Sequence, residues 1–379
     1  MTGLNKPRFH HFQNSIHSVF RMGNVLFLIL LIFPLYAFAQ CKNPLPGEWG
    51  GHLRLRGAIS FPETNSLLDM AHHDRLHDGA FEFRLKNSTM INDKVDFECH
   101  YEMIGSGGET RKTLQSFLDR YPDFSDSLLP GETINDARRV MDLTREISSH
   151  TEYLVYHRID RLVFSAYADR GSVRIGRQAL TWGNGFLFNP MDLFNPFSPT
   201  DVERDYKIGD DMITAQIYTG GAGEFQMLYV PRRNTDNHDI EWEESSVAAK
   251  YHFNISTTDV DLMAGKNYED TVFGVGFTGY VSDAAWRLDG TWTWLDDQAH
   301  ESGFASIAAN IDYSWVWFEK NLYAWIEYYY TGLGKQDVSD ALTDMDIVER
   351  MGRGSGLRLA DPMWMHRFRW NGIPWSTVL

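Results

Sequence analysis

Arginine recurs in this chain at positions where alternate side chains share a face. Arg54 and Arg56 alternate with Leu53 and Leu55, and Arg84 stands between Phe83 and Leu85. In the run Val173-Arg174-Ile175-Gly176-Arg177-Gln178, an extended backbone puts Arg174, Gly176 and Gln178 on one face and Arg177 on the other. A second charged group, Asp201, Glu203, Arg204 and Asp205, lies just after Pro190, Pro196 and Pro199, which stiffen that stretch and keep it from becoming a strand. A guanidinium stays charged and presents a fork of donors to oxyanions. These residues therefore suit attracting, holding or repelling ions, with no covalent bond made or broken. Set across a narrow aqueous passage, such charges select by sign. The competing reading is that the 201–205 charges pair with one another on a solvated loop.

Covalent chemistry finds no comparable support. The sequence beyond its first forty residues has no G-x-S-x-G, phosphate-binding loop, H-E-x-x-H or C-x-x-C. His72, His73 and His77 with Asp74 and Asp78 form the densest ligand-like cluster, and it reads as a solvated loop rather than a metal site. Nothing in the spacing of Ser and His selects a nucleophile and its base. The expectation is no catalysis, no metal and no cofactor.

The elements that must carry the arginines alternate apolar and polar residues over about ten positions, as strands do between two different solvents. Val95, Phe97, Cys99, Tyr101 and Met103 oppose Asp96, Glu98, His100 and Glu102. Trp286, Leu288, Trp292 and Trp294 oppose Arg287, Asp289, Thr291 and Thr293. The pattern predicts strands near 52–60, 80–87, 94–103, 152–168, 172–181, 211–219, 224–231, 246–254, 259–267, 271–280, 285–295, 303–315 and 321–330. Connections 61–79, 104–151, 182–210 and 232–245 are long and those between them short, the order expected of a membrane barrel with turns at one end and loops at the other. The alternating lengths fade after residue 245. Aromatic clusters at Trp315-Val316-Trp317-Phe318 and Tyr328-Tyr329-Tyr330 fit an interfacial girdle. Two stretches of the long connection, Thr110–Tyr121 and Asn135–Thr144, read as helical. From Arg353 to Leu379 the alternation lapses, which predicts that the reading is cut short or frame-shifted after about Met351, with further strands beyond.

The first 39 residues read as a secretion leader. Lys6, Arg8 and Arg21, with no acidic residue, precede the apolar run Val25–Ala39, which is shorter than a membrane-spanning helix needs and ends in Ala37-Phe38-Ala39. Cleavage after Ala39 takes the net charge from −16 to −19. That balance argues against nucleic acid as a partner and suits loops facing an anionic outer leaflet bridged by divalent cations.

A strand ending in Arg174-Ile175-Gly176-Arg177-Gln178, followed by Trp182-Gly183-Asn184-Gly185 and by Asn189-Pro190 and Asn195-Pro196, resembles a set of poorly characterised porin-like outer-membrane proteins of Gram-negative bacteria, of the alginate-export-like kind. The resemblance covers roughly residues 150 to 215. It implies a β-barrel with passive solute passage and names no substrate. The sequence reading is thus a leader (1–39) and an all-β, antiparallel transmembrane barrel of 14–16 strands (40–379). In it, 104–151 forms a partly helical external or plugging loop, and 182–210 is a stretch whose charged end folds inward. Its partners are outer-membrane lipid, lipopolysaccharide and an unnamed small solute. The rivals are a surface receptor plugged by 104–151 and, less favoured, an outer-membrane hydrolase.

Overall fold

The computed structural model describes residues 27–29, 46–62, 74–120, 136–196, 206–221, 223–295, 302–334, 350, 363–370 and 373–378. The proposed cleavage point, Cys41, His72, His73, Asp201, Glu203, Arg204 and Asp205 lie outside these residues.

Strands dominate. In chain order they are β1 (Phe27–Ile29), β2 (Glu48–Ser60), β3 (Leu76–Asn92), β4 (Val95–Gly108), β5 (Thr144–Ser149), β6 (Tyr153–Ala168), β7 (Gly171–Gln178), β8 (Asp210–Gly220) and β9 (Gly223–Arg233). They continue with β10 (Ile240–Ile255), β11 (Thr258–Asn267), β12 (Asp270–Val281), β13 (Ala284–Trp294), β14 (Gly303–Trp317), β15 (Lys320–Thr331), β16 (Met363–Trp370) and β17 (Ile373–Val378). A helix, α1 (Glu109–Arg120), follows β4. Each long strand pairs antiparallel with its neighbour in sequence, so the connections are hairpins. The short strand β5 pairs with β6 over Leu154–Arg158, on the edge that β7 leaves free by pairing only with Leu162–Ala168. β1, which lies inside the segment read as leader, pairs with Gly57–Ile59 of β2. No register joins β17 to β2 among the described residues, so the sheet is not closed there.

The alternation of connection lengths is interrupted at the two-residue turn Tyr268–Glu269 between β11 and β12 and resumes after β13. At one end of the sheet the turns are pairs of residues: Asp93–Lys94, Asp169–Arg170, Ser256–Thr257, Ser282–Asp283 and Phe318–Glu319. Ser256, Ser282 and Phe318 adopt left-handed φ of 59°, 55° and 47°, as tight hairpins require. The strand ends that lead into the longer connections (Ser60 and Leu76, Gly108 and Tyr153, Gln178 and Asp210, Trp294 and Gly303, Thr331 and Met363) all lie at the other end.

Three sequence expectations are corrected. The stretch 232–245 is no long loop. β9 runs to Arg233 and β10 starts at Ile240, and a register shift between Glu241 and Ser246 hides the alternation. Asn135–Thr144 is not helical where described: the Asp136 carboxylate accepts from Leu143 N at 2.7 Å and Arg139 Nη1 at 2.8 Å, closing a turn, and Thr144 opens β5. Met363–Trp370, where alternation lapses, is strand β16, paired with β15 from Tyr329↔Met363 to Leu322↔Trp370.

The two faces differ in kind. Along β14, Ile307, Ile311 and Tyr313 are exposed, whereas Ser306, Ala308 and Asn310 are buried. Along β3, Phe83 and Leu85 are exposed while Glu82 and Arg84 are buried. Apolar side chains face outward and polar ones inward, the reverse of a water-soluble sheet. Trp317, Phe318 and Tyr280 stand exposed near the two-residue turns.

Candidate functional site

Of the connection between β7 and β8, the described residues 179–196 and 206–209 are enclosed by the sheet. Trp182, Met191 and Phe194 pack with inward side chains of β8 to β12: Met212, Leu228, Val230, Ala248, Met263 and Val272. Phe188 stacks on Tyr329 of β15, with ring centroids 4.6 Å apart. At its other end Tyr206 lies against Arg84 of β3, the guanidinium carbon 3.6 Å from the ring centroid. One segment touching inward residues of β3, β11 and β15 requires the sheet to curl around it. The sheet is a barrel wall, and 179–196 and 206–209 lie in its lumen.

Glycine makes this course feasible. Gly183 has φ +102°, a region side chains resist. A Cβ on Gly176 would lie 2.0 Å from the Leu162 carbonyl oxygen, so β6 and β7 approach too closely there for any other residue.

Acidic wall residues hold the tip of the segment. Glu327 accepts three successive backbone N–H groups, from Phe186, Leu187 and Phe188, at 2.7, 3.0 and 2.9 Å, and is fully buried. Asp289 accepts Asn184 N at 2.5 Å and Asn184 Nδ2 at 2.9 Å. Asp261 accepts Asn184 Nδ2 at 3.3 Å and pairs with His252 Nδ1 at 3.0 Å.

The opposite wall, β2 to β6, is rich in cations. Arg84 donates to Glu102, and to Asp160 at 2.7 Å. Arg158 Nε reaches Glu102 Oε2 at 2.9 Å. A register shift between His100 and Tyr101 lets consecutive residues Asp160 and Arg161 both turn inward, and Arg161 then donates to Asp160 at 2.6 Å and to the Lys207 carbonyl at 2.7 Å. Glu82 collects His52 and Tyr206 at 2.7 Å each, with Arg56 at 3.5 Å and Arg54 at 3.9 Å. Burial, with the negative charge of Glu102, pushes the Tyr206 hydroxyl above its usual range, so it stays a neutral donor to Glu82.

Where the returning leg meets the outgoing one, Lys207 donates to Asp192 and, at 2.8 Å, to the Leu180 carbonyl. Burial pushes the Asp192 carboxyl up to about 6 despite Lys207, and pushes Lys207 down.

The sequence-chosen arginines separate into two environments. Arg54, Arg56 and Arg84 belong to the inward cationic wall, and Arg174, at 37% side-chain exposure, lies 3.6 Å from Glu98 of β4. Arg177 is 1% exposed and clamps Asp136 at 3.0 Å and Asp211 at 2.8 Å. It fastens the segment 136–143 over the ends of β7 and β8 and offers nothing to a solute. Burial works against the Asp136 charge, yet Arg177 and Arg139 hold that carboxyl below its usual value. Sequence reasoning missed Glu327, Asp289 and Asp261, the partners that fix the tip. Helix α1 stays beside the rim, where Thr110 bonds Asp78 and Lys112 bonds Glu152.

Among the described residues no group of three or more His, Cys, Asp or Glu could hold a metal ion. The His–carboxylate pairs His252–Asp261 and His52–Glu82 have no Ser, Thr or Cys bonded to the histidine among those residues.

No protein-family model matches the sequence, and no curated protein matches it. Among solved structures, the chain is similar to Pseudomonas aeruginosa OccK5 (OpdH), with a TM-score of 0.45 and 9% identity over 85% of this chain and 75% of that one. It is also similar to Salmonella typhi OmpF in complex with daunomycin, with a TM-score of 0.41 and 14% identity over 84% and 86% of the two chains. For Pseudomonas aeruginosa OccK3 (OpdO) the TM-score is 0.42, at 10% identity over 86% and 74%.

Proposed function

We propose that this chain is a porin-like outer-membrane channel for passive diffusion of small solutes, with residues 179–196 and 206–209 as its constriction. The observation that carries the reading is that both described stretches lie inside the curled sheet, 206–209 against a cationic wall and 186–188 against an acidic one, each held by buried charge. Fixed, compensated charges on both sides of a narrow passage keep it wet and let it discriminate by sign. The outward face suits lipid, with Ile307, Ile311, Phe164 and Ile175 exposed. Export by a leader cleaved after Ala39 belongs to this reading, as do acidic loops that meet lipopolysaccharide through divalent cations.

Planar-bilayer recording of the folded, purified protein tests it. Steady, ohmic steps that scale with salt concentration are the expected result. A correctly folded barrel that conducts nothing overturns the channel and favours an occluded receptor, with 179–196 and 206–209 as its plug.

A further inference from the structure

Inward positions on adjacent strands line up in rows across the cationic wall. One row pairs Gly50 with Lys86, Lys86 with His100, and His100 with Arg161. Every charged group here but one has its partner. Glu102 spends one carboxylate oxygen on Arg84 and the other on Arg158, with no exposed surface left. Arg161 is taken up by Asp160 and the Lys207 carbonyl. His100 uses Nδ1 toward Arg84 at 3.1 Å and Nε2 toward Glu98 at 3.0 Å, and Arg174 also turns to Glu98. Lys86 is half-buried and makes no hydrogen bond or ion pair among the described residues. Its charged neighbours are the cations Arg84, Arg161 and Arg54 and the already saturated Glu102.

A half-buried ammonium among guanidinium groups is costly without a counter-charge. The space for one is beside it: among the described residues, a Cβ built on Gly50 would meet nothing within 4 Å. An unpaired lysine next to an unfilled position on the same wall is the arrangement a bound anion completes.

We propose that Lys86 is the anchor of a binding site for a small oxyanion, the carboxylate or phosphate group of a solute, seated beside Gly50. The site lies one inward step from Arg84 on the β3 side of the constriction, so a solute held there has been drawn to the narrow point. The proposal rests on the channel reading for its role in passage, but the binding itself does not depend on conduction.

Equilibrium binding to the folded protein in detergent, followed by isothermal titration and by 31P line broadening, uses inorganic phosphate and, as a second arm, acetate. The wild type should bind phosphate saturably. Lys86→Gln should weaken binding at least about tenfold, and Lys86→Arg, which keeps the charge, should restore most of it. Heat-modifiable gel mobility checks that both variants are folded. Competition by acetate assigns the site to carboxylate solutes as well, and its absence restricts the site to phosphate. Equal phosphate binding by wild type and Lys86→Gln, or none by the wild type to either anion, overturns the proposal. Lysine-dependent binding in a protein silent in bilayers upholds the site and overturns the channel.

Discussion

Asp192 and Lys207 staple the two legs of the lumenal segment, and the charge of both is strained by burial. With its carboxyl at about 6 in the folded protein and about 3.9 in an unfolded chain, Asp192 binds its proton more tightly when folded. Its contribution to stability therefore rises as pH falls from about 6 to about 4, and its ionised burial subtracts stability at neutral pH. Relative to Asp192→Asn, which cannot titrate, the wild type should gain on the order of 3 kcal/mol between pH 7 and pH 4, at about 1.4 kcal/mol per pKa unit. Urea unfolding of both proteins at the two pH values measures it, and parallel profiles would refute it. The arginines of the wall were legible because alternation marks a face even in one strand, which is how Arg54, Arg56 and Arg84 were found. Their partners were not. Asp160 and Arg161 are adjacent, and without the register shift beside them one of the two would be assigned outward. Arg177 was visible as a charge on the face opposite Arg174, but not as the clamp on Asp136, a residue 41 positions away.

At the scale of elements, the lumenal segment is as ordered as its anchor at Glu327 allows. Three backbone N–H groups with one acceptor leave three orphan donors when the acceptor goes, at about 1–3 kcal/mol for each one that water does not reach. Glu327→Ala should free the tip, raising amide hydrogen exchange over 182–196 by at least about tenfold while β3 and β4 keep their protection; in bilayers it should widen and roughen the open current. Unchanged exchange in that peptide would mean that aromatic packing, such as Phe188 on Tyr329, holds the tip alone. Strands with clean alternation were read closely, β6 (Tyr153–Ala168) against an expected 152–168. Boundaries failed where the pattern is interrupted. β3 starts at Leu76 rather than near 80 because its outward face there is His77 and Gly79, without an apolar signal. β7 stops at Gln178 rather than 181, two residues past left-handed Gly176. The prolines and glycines of 182–196 announced an irregular segment, but its inward course depends on acids on β13 and β15, over a hundred residues later, that look like any other inward polar position.

For the whole molecule the decisive variable is what surrounds the outer face, and one substitution separates the two solvents. Ile311 lies mid-strand in β14, 44% exposed, paired with Trp286 and Ile326. Were that face in water, Ile311→Arg would place a charge where it is well solvated and cost almost nothing, since exposed substitutions usually fall within about 0.5 kcal/mol. In lipid the same arginine sits near the bilayer midplane and costs about 2–4 kcal/mol. Urea unfolding in phospholipid vesicles should therefore show Ile311→Arg destabilised by that amount, with Ile311→Leu close to wild type. Arginine nearer the two-residue turns should cost less, because the penalty falls toward the interface: Phe318→Arg, at a position 82% exposed, is expected within about 1 kcal/mol of wild type. A flat profile across the two positions would place the outer face in water and remove the membrane from the argument. A graded one locates the bilayer along β14, and with it the depth at which the lumenal segment crosses.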